Sequence, residues 1–284
     1  MSRLQAAWVH RTFEASVLLI LFSISLVTDA RAANFTLEQV MSSPFPSGLV
    51  AASHADRVAW VFTAKGVRNV WVADGPEFAA RQVTHYSADD GQPIASLRIT
   101  SDGRTMVYAR GSETNEAGRV ADPTNGVSSR KQQVWAIDTE GGQPRLLGDM
   151  GCGEEDCEDI QLSPDGKFAV WAAKKQLWIA PVSAVTLAHQ FTDLSGDNLS
   201  PKWSPDGRQI VFVSKRIDHS FIAVYEFGRD AVHYLAPAAD RDILPRWSLD
   251  GRRIIFIRTP GVEQKLPLIP VRTTPWSIWI ADAK

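Results

Sequence analysis

Residues 203–216 read WSPDGRQIVFVSKR, a tight turn running straight into an apolar segment. The same phrase returns as TSDGRTMVYA at 100–109, LSPDGKFAVWA at 162–172 and WSLDGRRIIFI at 247–257. Its first half is turn chemistry. Pro presets φ for an early turn position, Asp bonds to the local backbone, and Gly adopts a positive φ at no steric cost. The second half, such as Gln209–Val213, is rich in β-branched and aromatic residues and has the length of a strand. A second signature follows each copy, with an aromatic at its centre: QVWAID at 133–138, QLWIAP at 176–181, AVYEF at 223–227 with Tyr225 in the aromatic slot, and SIWIAD at 277–282. A weaker third strand follows most of these, as in PRLLGD at 144–149 and VHYLAP at 232–237.

The predicted unit is therefore strand, tight turn, strand, loop, aromatic strand, turn, strand. The turn glycines Gly103, Gly166, Gly207 and Gly251 mark four copies. A degenerate first copy, SHADRVAWV at 53–61 followed by NVWVAD at 69–74, has Asp56 where the others have Gly. Four-stranded repeats of this period predict an all-β chain, a β-propeller of about five blades in which the aromatics of the third strands fill the spaces between blades. SIWIAD is followed only by Ala283 and Lys284. The fifth unit thus lacks an outer strand, and the expectation is an incomplete propeller, a piece of a longer protein.

Ahead of the repeats, Arg3, His10 and Arg11 precede an apolar run from Val17 to Val27, and Ala30 and Ala32 form a small-x-small pattern. The run is shorter than the ~20 residues of a membrane-spanning helix. It predicts a signal peptide over residues 1–32, a leader over 33–47 and the propeller over 48–284, with export to the periplasm or beyond. Once the signal is cleaved, no membrane association is expected. A net charge of −2 gives no basic stripe for nucleic acid.

No nucleophile elbow, zinc-protease motif or phosphate loop occurs in the sequence, so no catalytic residue, metal or cofactor is expected. The six His residues are scattered and read as solvated. DLSGDN at 193–198 reads as a solvated turn, and Asn34 and Asn198 head N-x-S/T triplets. Cys152 and Cys157 flank an acidic cluster, GEEDCED at 153–159; after export they are placed either to close a short disulfide or to remain as two thiols. That cluster of acids could bind a cationic amine. The polar insertion at 111–131, GSETNEAGRVADPTNGVSSRK, offers Glu116, Arg119, Asp122 and Asn125 as rim-loop candidates for contact with a partner.

FTLEQVMSSPFPSGLVAAS at 35–53, the insertion with the aromatic strand after it, and LPLIPVRTTPWSIWIADA at 266–283 resemble the N-terminal propeller of secreted bacterial prolyl-oligopeptidase-type serine peptidases, the dipeptidyl and acylaminoacyl peptidases. The resemblance implies a C-terminal α/β-hydrolase domain with a Ser-Asp-His triad, peptide substrates, and a propeller that admits only small peptides. No triad residue maps onto this chain; dipeptidyl members of the family hold the substrate's free amine with paired Glu residues, and the resemblance makes Glu154 and Glu155 the paired candidates here. SPDG repeats are shared with Tol-type propellers, so a stand-alone periplasmic propeller that binds a protein or glycan is the alternative.

Overall fold

A computed structural model describes residues 36–111, 131–150, 160–261 and 275–284. The chain divides into two units after Ser43. The first contains α1 (Leu37–Met41), started by a capping box. Gln39 N donates to Thr36 Oγ1 (3.1 Å), and Thr36 N donates to Gln39 Oε1 (2.9 Å).

The second unit is a succession of antiparallel blades. Blade one is β1 (Phe45–Ala51), β2 (Arg57–Ala64), β3 (Val67–Asp74) and β4 (Ala79–Gln82). Blade two is β5 (Ile94–Ile99), β6 (Thr105–Arg110), β7 (Gln133–Asp138) and β8 (Arg145–Asp149). Blade three is β9 (Gln161–Leu162), β10 (Phe168–Ala173), β11 (Gln176–Pro181) and β12 (His189–Gln190). Blade four is β13 (Asp197–Trp203), β14 (Gln209–Lys215), β15 (Ser220–Glu226) and β16 (Ala231–Leu235). Blade five is β17 (Arg241–Trp247), β18 (Arg253–Thr259) and β19 (Ser277–Asp282), joined to blade four by one parallel bridge between Ser220 and Arg241. This is a β-propeller.

The repeated turn has one geometry wherever it occurs. In blade four Ser204 Oγ donates to Asp206 Oδ1 (2.6 Å), and that oxygen also accepts from Arg208 N (3.1 Å). Gln209 N closes the turn onto Ser204 Oγ (2.9 Å). Ser163–Asp165, Ser248–Asp250 and Thr100–Asp102 repeat the pattern, Thr100 using its own hydroxyl. Gly207 has φ +71°, and a Cβ there would lie 3.5 Å from Pro164 of the preceding turn; Gly251 stands in the same relation to Pro205. Pro of one turn thus packs on Gly of the next, so the motif joins blades as well as strands.

Interblade packing explains why the second strands are apolar on both faces. One face of each blade meets the opposite face of the next. Val107, Ala109, Val134 and Leu147 of blade two cluster with Trp171, Ala169 and Ala180 of blade three. Val211, Val213, Ile222 and Val224 of blade four cluster with Ile254 and Phe256 of blade five. Tyr108, Trp171, Phe212 and Phe256, all on second strands, are almost completely buried. The third-strand tryptophans sit directly across from second-strand aromatics: Trp71 opposite Trp60, Trp135 opposite Tyr108, Trp178 opposite Trp171, Trp279 opposite Phe256.

Four expectations need correction. Trp135 and Trp178 do pack against the clusters between blades, as expected, but they are half-buried, Trp279 is exposed, and the fully buried interblade aromatic is the one on the second strand. Tyr225 is not in the aromatic slot, because Ala223 lies opposite Phe212 and Tyr225 lies opposite Ile210. The register of β2 brings Ala55 level with the turn glycines rather than Asp56, since Trp60 takes the place of Tyr108. Residues 45–47, read as leader, pair with β2 and belong to blade one.

DLSGDN is also less solvated than its polarity suggests. Asn198 is buried at the start of β13, where Ser214 Oγ donates to its Oδ1 (2.8 Å) and its Nδ2 donates to Gln176 Oε1 (3.0 Å). A buried amide with both ends paired is a structural joint. No helix among the described residues is long and apolar enough to cross a membrane.

Candidate functional site

Strand alternation puts every SPDG turn on one side of the blades and every connection from second to third strand on the other. On the turn side, neighbouring blades leave a cleft between the start of one second strand and the turns of the next blade. The chemistry of that cleft changes from blade to blade with the residue that opens the second strand.

Between blades one and two the opening residue is Arg57. Arg57 pairs with Asp74 and donates to Gly103 O (2.9 Å) and Glu140 Oε1 (3.1 Å), while Arg81 reaches the same Glu140 oxygen at 3.3 Å. Charge fills this cleft, and the bond from Arg57 is the chief reason that the Asp74 carboxyl titrates below its ordinary value.

Between blades three and four the opening residue is Phe168, and the cleft is aromatic. It encloses about 530 Å³, within the size range of small-ligand sites, and is lined by Phe168, Ile179, Phe191, Trp203, Tyr225 and Phe227, with Asp165, Asp206, Asp230 and His189 among its polar groups. Trp203 stacks on Phe227 (5.3 Å between centroids, 12° between planes), and Phe227 stacks on Phe191 at 5.8 Å. Tyr225 presents its edge to both phenylalanines, at 5.0 and 4.9 Å. Tyr225 Oη donates to Asp230 Oδ1 (2.6 Å). Burial, with help from that carboxylate, pushes the phenol up to about 12.

The carboxyls of Asp206 and Asp165 are both held below their ordinary value. Asp206 titrates below its ordinary value chiefly because Ser204 donates to it. Burial opposes ionisation of Asp165, but the bonds from Ser163 and from the backbone of Lys167 outweigh it, and Lys167 Nζ lies 3.2 Å away. Among the described residues neither Asp206 nor Asp230 has an ion-pair partner.

One buried donor beside this cleft is unpaired: Trp203 Nε1 is shut off from solvent and has no hydrogen-bond partner among the described residues. The corresponding tryptophan of blade five, Trp247, donates to Lys202 O at 3.0 Å. Blade three ends its first strand in Leu162, two residues into a very short strand, and offers Trp203 no such bond.

Glu154, Glu155, Cys152 and Cys157 lie outside the described residues, as do Glu116, Arg119, Asp122 and Asn125. The cleft residues were each legible only as core filler, and nothing in the sequence singled them out as a group. His189, read as solvated, is exposed and lies at the edge of the cleft. Among the described residues no group of three His, Cys, Asp or Glu side chains is placed to hold a metal.

On the side of the second-to-third connections, blade five carries a buried ion pair. Arg258 Nε and Nη2 donate to Asp242 Oδ1 (2.7 Å) and Oδ2 (2.8 Å), Nη2 also donates to Ala236 O (2.6 Å), and the guanidinium stands 4.2 Å from the Trp279 ring.

No family model and no curated protein matches the chain. Solved structures do. A protein described as a dipeptidyl aminopeptidase IV from Bacteroides ovatus aligns over 75% of this chain and 36% of its own, with TM-score 0.57 and 8% identity. The propeller domain of the Trilobed protease from Pyrococcus furiosus, described as having an open velcro topology, aligns over 85% of this chain and 70% of its own, with TM-score 0.54 and 16% identity. A TolB protein from Agrobacterium tumefaciens covers 84% of this chain and 78% of its own at TM-score 0.47 and 18% identity. What these matches share with the chain is the fold. The chain spans about a third of the length of the dipeptidyl aminopeptidase it aligns with.

Proposed function

We propose that the chain is the propeller portion of an exported serine peptidase of the prolyl-oligopeptidase type, with hydrolysis carried out by an α/β-hydrolase domain that it caps. In this role the propeller limits access to the catalytic domain to small peptides. The observation that carries the reading is the placement of the polar insertion. In the sequence it falls between β6 and β7, the second and third strands of an otherwise regular blade, and residues 108–138 resemble the corresponding insertion and aromatic strand of that peptidase family. Peptidase propellers among the structural matches support it at the level of fold.

The test is activity-based labelling. Antibodies raised against this propeller, used on exported proteins of the native source, are expected to capture a polypeptide longer than this chain that reacts covalently with a fluorophosphonate probe. Capture of an unlabelled polypeptide of this chain's own length would overturn the reading. It would favour a stand-alone propeller that binds a partner, the function for which the aromatic cleft between blades three and four is the specific supporting observation.

A further inference from the structure

We infer that the open face of blade five is a docking surface for blade one of a second copy of this chain, the two copies joining head to tail. The inference concerns self-association and goes beyond the peptidase reading.

Blade four shows what one half of an interblade contact looks like. Val211, Val213, Ile222 and Val224 share a face of β14 and β15, are at most 5% exposed, and receive Ile254 and Phe256 of blade five. The same positions in blade five are Ile255, Ile257, Ile278 and Ile280, which pair across β18 and β19 and so share a face as well. Here they stand open. Ile255 is 41% exposed, Ile278 64% and Ile280 58%, although every counterpart in blades one to four is buried. Ile243 of β17 lies across from Ile257, is 39% exposed, and carries the apolar row onto a third strand.

The other half of such a contact stands open on blade one. In blades two to five the second-strand aromatic, Tyr108, Trp171, Phe212 or Phe256, is buried against the blade before it. Trp60 holds that position in blade one, has no preceding blade among the described residues, and is only half-buried. It meets Phe62 edge-on at 5.5 Å, and Phe62 meets Trp71 edge-on at 5.4 Å, so the three rings share one uncovered face.

This pairing of halves identifies the occupant. Four times in this chain an aromatic face of one blade packs on the aliphatic face of the blade before it. Blade five offers the aliphatic half and blade one the aromatic half, and within one copy both remain uncovered. Isoleucine faces paired with each other would leave the rings of blade one in water, whereas the head-to-tail contact covers both halves. Such a contact is heterologous, so each copy in a pair keeps one half free for the next. A three-stranded face measures about 20 by 15 Å, nearer a weak interface than an obligate one, so association is sought from micromolar to millimolar concentration.

Sedimentation velocity on the full chain over that range is the test. The chain is expected to form dimers and longer assemblies as its concentration rises. Ile280→Glu, at an exposed position, should weaken association at least tenfold, and Phe62→Lys should do the same from the other face. Trp71→Arg is a second variant of that face, and circular dichroism and thermal midpoints show which variants keep the fold. Mixed in equal amounts, Ile280→Glu and Phe62→Lys each bring one intact half. They should recover a dimer of the original affinity that grows no further. A chain that stays monomeric throughout would overturn the second copy as occupant. Loss of association in Ile280→Glu alone, with folded Phe62→Lys and Trp71→Arg associating normally, would show isoleucine faces pairing with each other and overturn the head-to-tail arrangement. Association untouched by any variant, as the apolar run at 17–27 would produce, would overturn the assignment of both faces, and so would a mixture that associates no better than its parts.

Discussion

Replacing Trp171 by Ala should be among the most damaging single changes available in this chain, and worse than the same change at Trp178 directly across the strand pair. Trp171 is fully buried between blades two and three. A Cβ added at Gly148 would sit 3.1 Å from its ring, so the neighbouring outer strand has already given up a side chain to make room. Its indole donates to Asp149 O at 3.1 Å. A tryptophan of this kind buries about 200 Å², which at roughly 25 cal/mol per Å² is about 5 kcal/mol of transfer free energy. Measured Trp→Ala costs of about 3–5 kcal/mol are of the same size. Trp178 keeps part of its surface in water, and its indole donates to Ala173 O of its own hairpin, which leaves about 3 kcal/mol by the same area reasoning. Trp171→Phe, which keeps most of the apolar area and loses the hydrogen bond, should cost about 1–2 kcal/mol. Urea unfolding followed by circular dichroism, with m unchanged between variants, gives the three values. If Trp178→Ala proved as costly as Trp171→Ala, the assignment of the second strand as the interblade filler would be wrong.

Arg258→Met leaves the Asp242 carboxylate buried without its partner and should cost about 3–5 kcal/mol in urea unfolding, whereas the double variant Arg258→Met, Asp242→Leu should recover most of that loss; equal stability of the single and double variants would show that the pair is solvated. Acid should loosen the turns. Asp102, Asp165, Asp206 and Asp250 all titrate below their ordinary value near 3.8, so the stability they add is fully present above that value and is lost as the pH falls through the lower folded values. Thermal midpoints measured from pH 6 to pH 2 should therefore fall on the acid side, and Asp206→Asn should have a lower midpoint at pH 6 and a shallower decline. An identical acid profile in that variant would remove the turns from the explanation.

Much of the architecture was legible in the residues. Turn chemistry is local: Ser-x-Asp-Gly fixes hydrogen bonds within a few residues of itself, so each turn could be placed without knowing its neighbours, and β7, β11 and β19 fall on the strands read from QVWAID, QLWIAP and SIWIAD. Repetition then multiplied a local signal into a fold. What the sequence could not settle was register and company. Whether Tyr225 or Ala223 faces Phe212 depends on where two strands pair, and a shift of two residues leaves the hydrophobic pattern unchanged. Burial of Trp171 and half-burial of Trp178 differ through depth within the blade, which neither residue type nor spacing encodes. The cleft is the clearest case. Phe168 and Trp203 belong to neighbouring blades, and each resembles an ordinary core residue in its own repeat. Only tertiary packing brings them together with Phe191, Tyr225 and Phe227, and only there does an indole N–H lack the carbonyl that its counterpart in blade five possesses.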